Sequence, residues 1–417
     1  MIQPSGPAFH AVSDGLDPAR DAPLGVAVSG GSDSVALLYL LRDWAAATGA
    51  ALHVVTVDHG LRAGSAEEAD FVASIAEGMA LPHQILRWQG WDGAGNLPDR
   101  ARRARYDLIA DWAAQTGVAA VALGHTADDI AETFLMRLAR GSGADGLAAM
   151  SARRLHRGTP FLRPMLSLRR HDLREMLTRR GQSWIDDPTN VDPRYTRARI
   201  RQALPDLADL GLTVEALTLT ARNLSDMRAT LGHYADRESR ELVQIEGDEI
   251  VIPRNRFVTL PAEIARRILQ TALIWTSGAD YPPRRDPLAR LLKSLETGQG
   301  MPLSGCLVEV RQGNIRISRE PAAVATCQAE PGEVWDGRWR LTGPAQPGDE
   351  VRALGEAGLR ACPGWRGGGL RRNVLLASPA VWRGDALIAA PLAGRPEGWR
   401  ATLIRDQEVF DRLLRAH

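Results

Sequence analysis

The chain has 417 residues, 44% of them hydrophobic and 24% charged, a soluble globular composition on a length that calls for two or three domains. Charges nearly cancel at a formal net +1, so a polyanion partner has to meet a local basic face rather than the whole surface. Cys306, Cys327 and Cys362 are scattered without a Cys-x-x-Cys pair or metal-ligand spacing, which points to a reducing cytoplasm and away from zinc, iron–sulfur and persulfide chemistry.

Residues 1–21 are rich in Pro, Gly, Asp and Ser and read as a flexible tail, since no charged start leads into the apolar core of a signal peptide. No apolar run reaches membrane-spanning length. The stretch Leu24-Gly-Val-Ala-Val-Ser-Gly-Gly-Ser-Asp-Ser-Val-Ala-Leu-Leu then joins a short buried-type strand, a Gly/Ser turn and a helix-period pattern. Gly30 and Gly31 remove the Cβ that blocks close backbone approach, Ser29, Ser32 and Ser34 offer hydroxyls, and the N–H groups of the new helix favour an anion. Asp33 adds a carboxylate suited to a metal ion beside that anion. The bland alternative is a tight turn in which Asp33 and Ser34 only cap a helix. The spacing is neither Gly-x-x-x-x-Gly-Lys-Ser/Thr nor Gly-x-Gly-x-x-Gly, which disfavours a Walker-type kinase and a dinucleotide dehydrogenase. It resembles the PP-loop of ATP pyrophosphatases, and that resemblance implies cleavage of ATP between its α and β phosphates to adenylate an oxygen.

Helical spacing continues from Asp33 to a C-cap glycine, Gly49. Ala51-Leu-His-Val-Val-Thr-Val-Asp-His-Gly is a second buried strand running into Asp58, His59, Gly60, Leu61 and Arg62. Carboxyl ends of parallel strands face the ligand crevice, which puts Asp58 and His59 at the edge of the nucleotide pocket; a polar strand exit in water is the alternative. Ser65-Ala-Glu-Glu reads as a capping box, and His83 to Trp88 as a strand. Asn96 to Gly117 is helical and carries Arg100, Arg102, Arg103 and Arg105 before Tyr106, with Arg102 and Arg105 on one face. Strand Val118 to Gly124 and helix Thr126 to Gly141 complete a β/α alternation that predicts a doubly wound parallel sheet.

That last unit contains the second motif. His125 follows Gly124 at the strand's carboxyl end, and Asp128, Asp129 and Glu132 crowd the first turns of the helix. Thr126 as cap and Asp129 in an acidic capping box account for part of this. Three acids and a histidine opposite the phosphate loop exceed what capping needs, and like charges raise one another's proton affinity, as suits metal binding or proton acceptance.

The PP-loop, His125-Thr-Ala-Asp-Asp-Ile-Ala-Glu-Thr, Arg140-Gly-Ser-Gly-Ala-Asp-Gly-Leu, Arg163-Pro-Met-Leu and Asp187-Pro-Thr-Asn-Val-Asp-Pro-Arg-Tyr occur in order over the first half of the chain. Together they resemble the tRNA(Ile)-lysidine synthetase family. The resemblance implies a C–N ligase that uses ATP and Mg²⁺ to adenylate carbon 2 of the wobble cytidine in tRNA(Ile) with a CAU anticodon. Free L-lysine then displaces AMP through its side-chain amine to give lysidine. Carried over by position, Ser29, Gly30, Gly31, Ser32, Asp33 and Ser34 hold the pyrophosphate of ATP, and Asp33 also the metal; Asp58, His59 and Gly124, at the strand ends, complete the expected ATP-binding set. Asp33, Arg105, His125, Asp128, Asp129 and Glu132 form the catalytic set, with the identity of the general base left open. Clustered carboxylates suit this chemistry because an ammonium must lose a proton before it attacks.

Arginine dominates from Arg153 to Arg201, and Lys293 is the chain's only lysine. Guanidinium groups suit phosphate contacts, and Arg102, Arg163, Arg169, Arg170, Arg197, Arg199 and Arg201 are read as tRNA-binding. Arg371 and Arg372 join them through a C-terminal stretch resembling the family's pattern. Ala198 and Thr189 stand where the family usually has Asn and Ser. A helix is expected from Ser167 to Gly181, and a new regime from Leu204-Pro205 that is helical through Leu231, from Pro261 to Ser277 and from Pro287 to Leu295. Leu242 to Ile252 alternates like a hairpin, and short strands are expected at Val334 to Leu341, Val374 to Leu376 and Ala386 to Ala390. The expected domains are 22–204 (PP-loop, catalytic), 205–320 (mainly helical) and 321–417 (small, β-containing, tRNA-binding). The protein is read as cytoplasmic, with no membrane partner and with a homodimer allowed. Competing readings are a PP-loop tRNA thiolase, which needs cysteines near the loop, a non-catalytic RNA-binding protein on a disused nucleotide fold, and an amide-forming synthetase acting on small molecules.

Overall fold

Parallel strands need helical crossovers, and the first half of the chain supplies them in regular alternation. The computed structural model describes all residues except 1–5, 17–22, 61–63, 90–96, 188–191, 280 and 417; Leu61, Arg62, Asn96 and the 188–191 part of the Asp-Pro-Thr-Asn turn therefore lie outside the described residues. Two compact units make up the chain, Met1–Asp226 and Met227–His417.

The first unit contains α1 (Pro7–Asp14), β1 (Leu24–Ala27), α2 (Ser32–Thr48), β2 (Leu52–Asp58), α3 (Ser65–Gly78), β3 (His83–Arg87), α4 (Leu97–Thr116), β4 (Ala120–Leu123), α5 (Ala127–Leu138), α6 (Ala144–Leu147), β5 (Arg153–His156), β6 (Thr159–Leu162), α7 (Arg170–Arg179) and α8 (Thr196–Asp209). Its sheet has the order β3-β2-β1-β4-β6-β5. All neighbours are parallel except β5, which pairs antiparallel with β6. This is the expected doubly wound sheet plus an edge hairpin not anticipated from the arginine-rich sequence. Arg157 and Gly158 both take positive φ in its turn, the twist that two-residue hairpins favour. The charged side chains of β5 are tolerated because an edge strand leaves them in water.

Alternate residues feed opposite layers, as a period of two requires. Leu24, Val26 and Val54 pack with Val35, Leu38 and Trp44 of α2 and Leu173 of α7. On the other face Val55, Val121 and Leu123 meet Tyr106, Ile109 and Trp112 of α4. Strand order reverses between β1 and β4, so their carboxyl ends form the crevice in which such sheets hold ligands.

In the first unit three local expectations change. The stretch expected to be a flexible tail contains α1, and Val12 is buried in the α2 core. Ser65 does not cap α3: Gly64 occupies that position, and the Ser65 hydroxyl is bonded to Asp58 instead. Leu204 and Pro205 start no new element, because α8 continues through them to Asp209.

Helix α9 (Val214–Leu242) leads into the second unit. There the expected hairpin is β7 (Gln244–Glu246) with β8 (Glu249–Pro253), followed by α10 (Arg254–Phe257), α11 (Ala262–Ser277), α12 (Arg285–Glu296), β9 (Cys306–Arg311) and β10 (Asn314–Arg319). The sheet β7-β8-β10-β9 packs on the buried length of α11. Further on, strands Val334–Trp335, Trp339–Thr342 and Arg400–Leu403 form one small sheet, and Gln328–Ala329, Asp349–Ala353, Pro379–Arg383 and Ala386–Ala389 another. Val374 to Leu376, expected as strand, lies in the helical turn Arg372–Leu376; three apolar residues in a row fit either conformation. The C-terminal helix Gln407–Ala416 returns Phe410 and Leu414 to the core around Ile250, Trp275 and Leu291, so packing crosses the boundary expected at 320. Among the described residues no helix is long and apolar enough to cross a membrane.

Gly25 on β1 is where the sheet is least forgiving: a Cβ there would sit 2.9 Å from Trp112 and 3.2 Å from Val121. We expect Gly25→Ala to cost about 1–3 kcal/mol by overpacking, measured by urea unfolding; wild-type stability would show that Trp112 moves freely.

Candidate active site

Strand β1 ends, and α2 begins, around a loop braced from within. Ser34 Oγ accepts from the Ser29 N–H at 3.1 Å and donates to the Gly31 carbonyl at 2.9 Å. Gly30 has φ +85°, and a Cβ on it would lie 2.9 Å from the Ile185 side chain, whose backbone N–H donates to the Gly30 carbonyl at 2.9 Å. Gly124, at the end of β4, abuts the loop so closely that a Cβ would come within 3.0 Å of the Asp33 and Ser34 backbone.

Two cavities meet there. One, of about 480 Å³, runs between the strand ends and includes Ser29, Gly31, Thr56, His59, Gly124 and His125. The other, of about 330 Å³, holds Asp33, Asp129, Arg102, Arg105, Arg197 and Arg201 and shares Ser29, Gly31, Ser34, Arg105, Gly124, His125 and Ile185 with the first. His59 lines the first cavity with its ring edge-on to Trp88 at 6.0 Å. Asp58 does not line either: its carboxylate takes the Ser65 hydroxyl and the Gly60 N–H, and these bonds lower its pKa.

The acidic residues converge on one guanidinium. Arg170, at the start of α7, donates to Asp33 (2.8 Å), Glu132 (2.9 Å) and Asp129 (3.1 Å). Arg197 and Arg201 of α8 add 2.7 Å bonds to the fully buried Glu132, and Arg197 reaches Asp129 at 2.9 Å. Asp129 also accepts from the Thr126 N–H and hydroxyl at 2.8 and 3.1 Å, which starts α5. Asp128 faces elsewhere: it caps α7 through the Arg170 N–H at 2.8 Å and pairs with Arg169, which also binds Glu215.

Several arginines expected to face RNA are therefore occupied. Arg170, Arg197 and Arg201 compensate buried carboxylates, since an unpaired buried charge is far costlier than an arginine drawn in from solvent. Arg163 is buried and donates to the Ser151 carbonyl at 2.6 Å and the Tyr106 hydroxyl at 3.3 Å. In the second unit Arg371 bonds Glu249 and Glu309, and Arg372 pairs with exposed Glu356. Arg102 and Arg199 remain exposed, Arg102 near the Tyr106 ring and Arg199 on Thr196.

Titration follows from these contacts. Burial alone would raise Glu132, but the Arg201 bond and the charges of Arg170, Arg197 and Arg201 outweigh it and hold the carboxyl at about 2. Asp33 is raised by burial and by Asp129, which Arg170 only partly offsets. Burial, then the charges of Arg163, Arg105, Arg102 and Arg197, keep His125 well below the usual imidazole range, and its Nδ1 has no partner among the described residues. No group of three or more His, Cys, Asp or Glu residues is arranged to hold a metal among the described residues. Asp33 offers one carboxylate beside the loop, a set that suits a cation completed by phosphate oxygens and water.

Two outcomes test this electrostatic arrangement. Glu132 lies below its ordinary 4.5, so its pairing stabilises the fold above that pH and is lost as pH falls through about 2; Glu132→Ala should cost about 3–5 kcal/mol at pH 7 by taking from Arg201 its carboxylate partner and from Arg170 and Arg197 one of theirs. The His125 imidazole resonances should stay constant from about pH 8 to about pH 6, where an ordinary histidine titrates; a normal titration would mean that neither burial nor the arginine charges suppress its protonation.

Residues 9–207 match the PP-loop domain family. The chain is 48% identical over 394 residues to the tRNA(Ile)-lysidine synthase of Ruegeria pomeroyi, covering 94% of each protein. It is 39% identical to that of Bradyrhizobium sp. strain BTAi1 over 73% of this chain and 91% of the relative. With that of Caulobacter vibrioides it shares 35% identity over 78% of this chain and 75% of the relative. Identity sustained through both units, together with the PP-loop at the sheet's switch point, makes this chain a member of the tRNA(Ile)-lysidine synthase family of ATP-dependent ligases.

Proposed function

We propose that the chain adenylates the oxygen on carbon 2 of the wobble cytidine in tRNA(Ile) bearing a CAU anticodon, releasing pyrophosphate. The side-chain amine of free L-lysine then attacks that carbon and expels AMP. The observation that carries this reading is the cluster of Asp33, Asp129 and Glu132 around Arg170, of which Asp33, Asp129 and Arg170 line a cavity opening onto the phosphate loop. Its acids suit a cationic nucleophile, and its arginines suit an anionic nucleotide.

The loop's backbone N–H groups and the Ser29, Ser32 and Ser34 hydroxyls are assigned to the phosphates, with the nucleoside in the larger cavity beside His59 and Gly124. Asp33 fits as a protein ligand for Mg²⁺, an ion that neutralises charge on a departing pyrophosphate. Glu132 is fully buried, paired with Arg170, Arg197 and Arg201 and held near 2, which assigns it to fixing those arginines rather than to accepting the ammonium proton. Asp129 and His125 line the smaller cavity beside the phosphate loop and are the sequence-predicted catalytic groups placed to face the lysine amine there. Of the first-unit arginines read as tRNA-binding, Arg102 and Arg199 are the ones that stay exposed and so are best able to meet tRNA phosphates. The thiolase reading finds no support: no cysteine lines either cavity, and Cys306, Cys327 and Cys362 all belong to the second unit.

Labelled lysine supplied with a tRNA(Ile) transcript and ATP–Mg²⁺ should enter the RNA only when the wobble position of the anticodon is cytidine and ATP is present. ATP turnover to AMP without labelling would keep the adenylating loop and discard lysine as the nucleophile.

A further inference from the structure

One turn after Arg170, helix α7 directs a second arginine at the phosphate loop. Arg174 Nε donates to Ser32 Oγ at 3.1 Å, its Nη2 donates to Asp186 at 2.7 Å, and its guanidinium lies 5.5 Å from the Trp184 ring. It shares the smaller cavity with Ser29, Gly31, Ser32, Asp33 and Ser34. The segment that holds it is fastened to the loop, since Ile185, between Trp184 and Asp186, is bonded to Gly30.

The contrast with Arg170 decides its role. Arg170 is committed to three carboxylates, one of them fully buried. Among the described residues Arg174 has one carboxylate partner, Asp186, and Asp186 is 67% exposed. An exposed pair of this kind is weak and readily exchanged, whereas a guanidinium on phosphate gains charge-assisted, bidentate bonds. Stacking beside Trp184 orients the guanidinium before any phosphate arrives.

We infer that Arg174 is a ligand for the β and γ phosphates of ATP, giving up Asp186 for phosphate oxygens and stabilising pyrophosphate as it leaves. The inference rests on the adenylation proposed above. In that step the cytidine oxygen bonds to the α phosphorus as the bond from that phosphorus to the α,β-bridging oxygen breaks. The electron pair of the broken bond departs on pyrophosphate, and Arg174 stays protonated throughout.

The test is calorimetric titration of the full chain with inorganic pyrophosphate, ATP and AMP in Mg²⁺ buffer, for wild type, Arg174→Ala, Arg174→Lys and Asp186→Asn. Arg174→Ala should weaken pyrophosphate and ATP about tenfold or more, the range for losing a charge-assisted bond, and leave AMP unchanged. Arg174→Lys should recover part of the loss, and Asp186→Asn should bind pyrophosphate at least as tightly as wild type. Unchanged pyrophosphate affinity in Arg174→Ala, no pyrophosphate binding by wild type, or an equal loss of AMP affinity would each overturn the inference. Labelled-lysine transfer by wild type reports separately on the lysidine reading: its failure alongside a selective pyrophosphate defect would discard that reading and retain Arg174 as a phosphate ligand.

Discussion

Asp33, Asp129 and Glu132 cannot sit side by side in a partly dehydrated crevice unless positive charge lies between them, and Arg170 is that charge. Its donors reach all three at 2.8–3.1 Å. The contact joins the start of α2, the first turns of α5 and the start of α7. Through Arg197 and Arg201 the same carboxylates also hold α8. Pairing of this sort adds little net stability compared with an apolar core of equal volume. What it provides is a fixed geometry for charged groups beside a phosphate loop.

The loop's own shape depends on close backbone approach. Gly124 lets β4 end against the backbone of Asp33 and Ser34, and Gly30 lets Ile185 lie on the loop. The phosphate site is thus bounded by three distant stretches of chain, and the switch in strand order between β1 and β4 leaves room for it. In the second unit, charge is again buried: Arg338 joins Asp248 at 3.2 Å and Asp336 at 2.9 Å, and Arg319 joins Asp336 at 2.8 Å. Those pairs tie the β7-to-β10 sheet to the strands that follow it, so that unit does not divide cleanly at residue 320.

The arginines illustrate how a sequence signal can be right in kind and wrong in assignment. Their density between Arg153 and Arg201 suggests a surface for polyanions, yet Arg163, Arg170, Arg197 and Arg201 turn inward. Each bonds a buried acceptor that lies far away in sequence, 57 residues for Arg163 and Tyr106, 38 for Arg170 and Glu132, 65 for Arg197 and 69 for Arg201 with the same Glu132. Outward-facing Arg102 and Arg199 are indistinguishable from them in sequence. Arg174 was hidden in the same run, and only its contact with Ser32 separates it.

By itself the sequence determined the parallel sheet, the phosphate loop, the acidic turn of α5 and the family, because each is written in contiguous residues: a strand-turn-helix, a period of two or 3.6, a motif in order. It also marked Ser29, Asp33, Gly124, His125, Asp129 and Glu132 as a group, and the structure brings the first five around one crevice, with the buried Glu132 joined to it through Arg170. Only tertiary structure decided which acids face that crevice, turning Asp128 to cap α7 and Asp58 toward Gly60 and Ser65. It likewise decided which arginines neutralise carboxylates and which meet solvent. The reason is physical: ion pairing is set by distance and burial after the helices have packed, and neither is encoded in the local pattern around a charged residue.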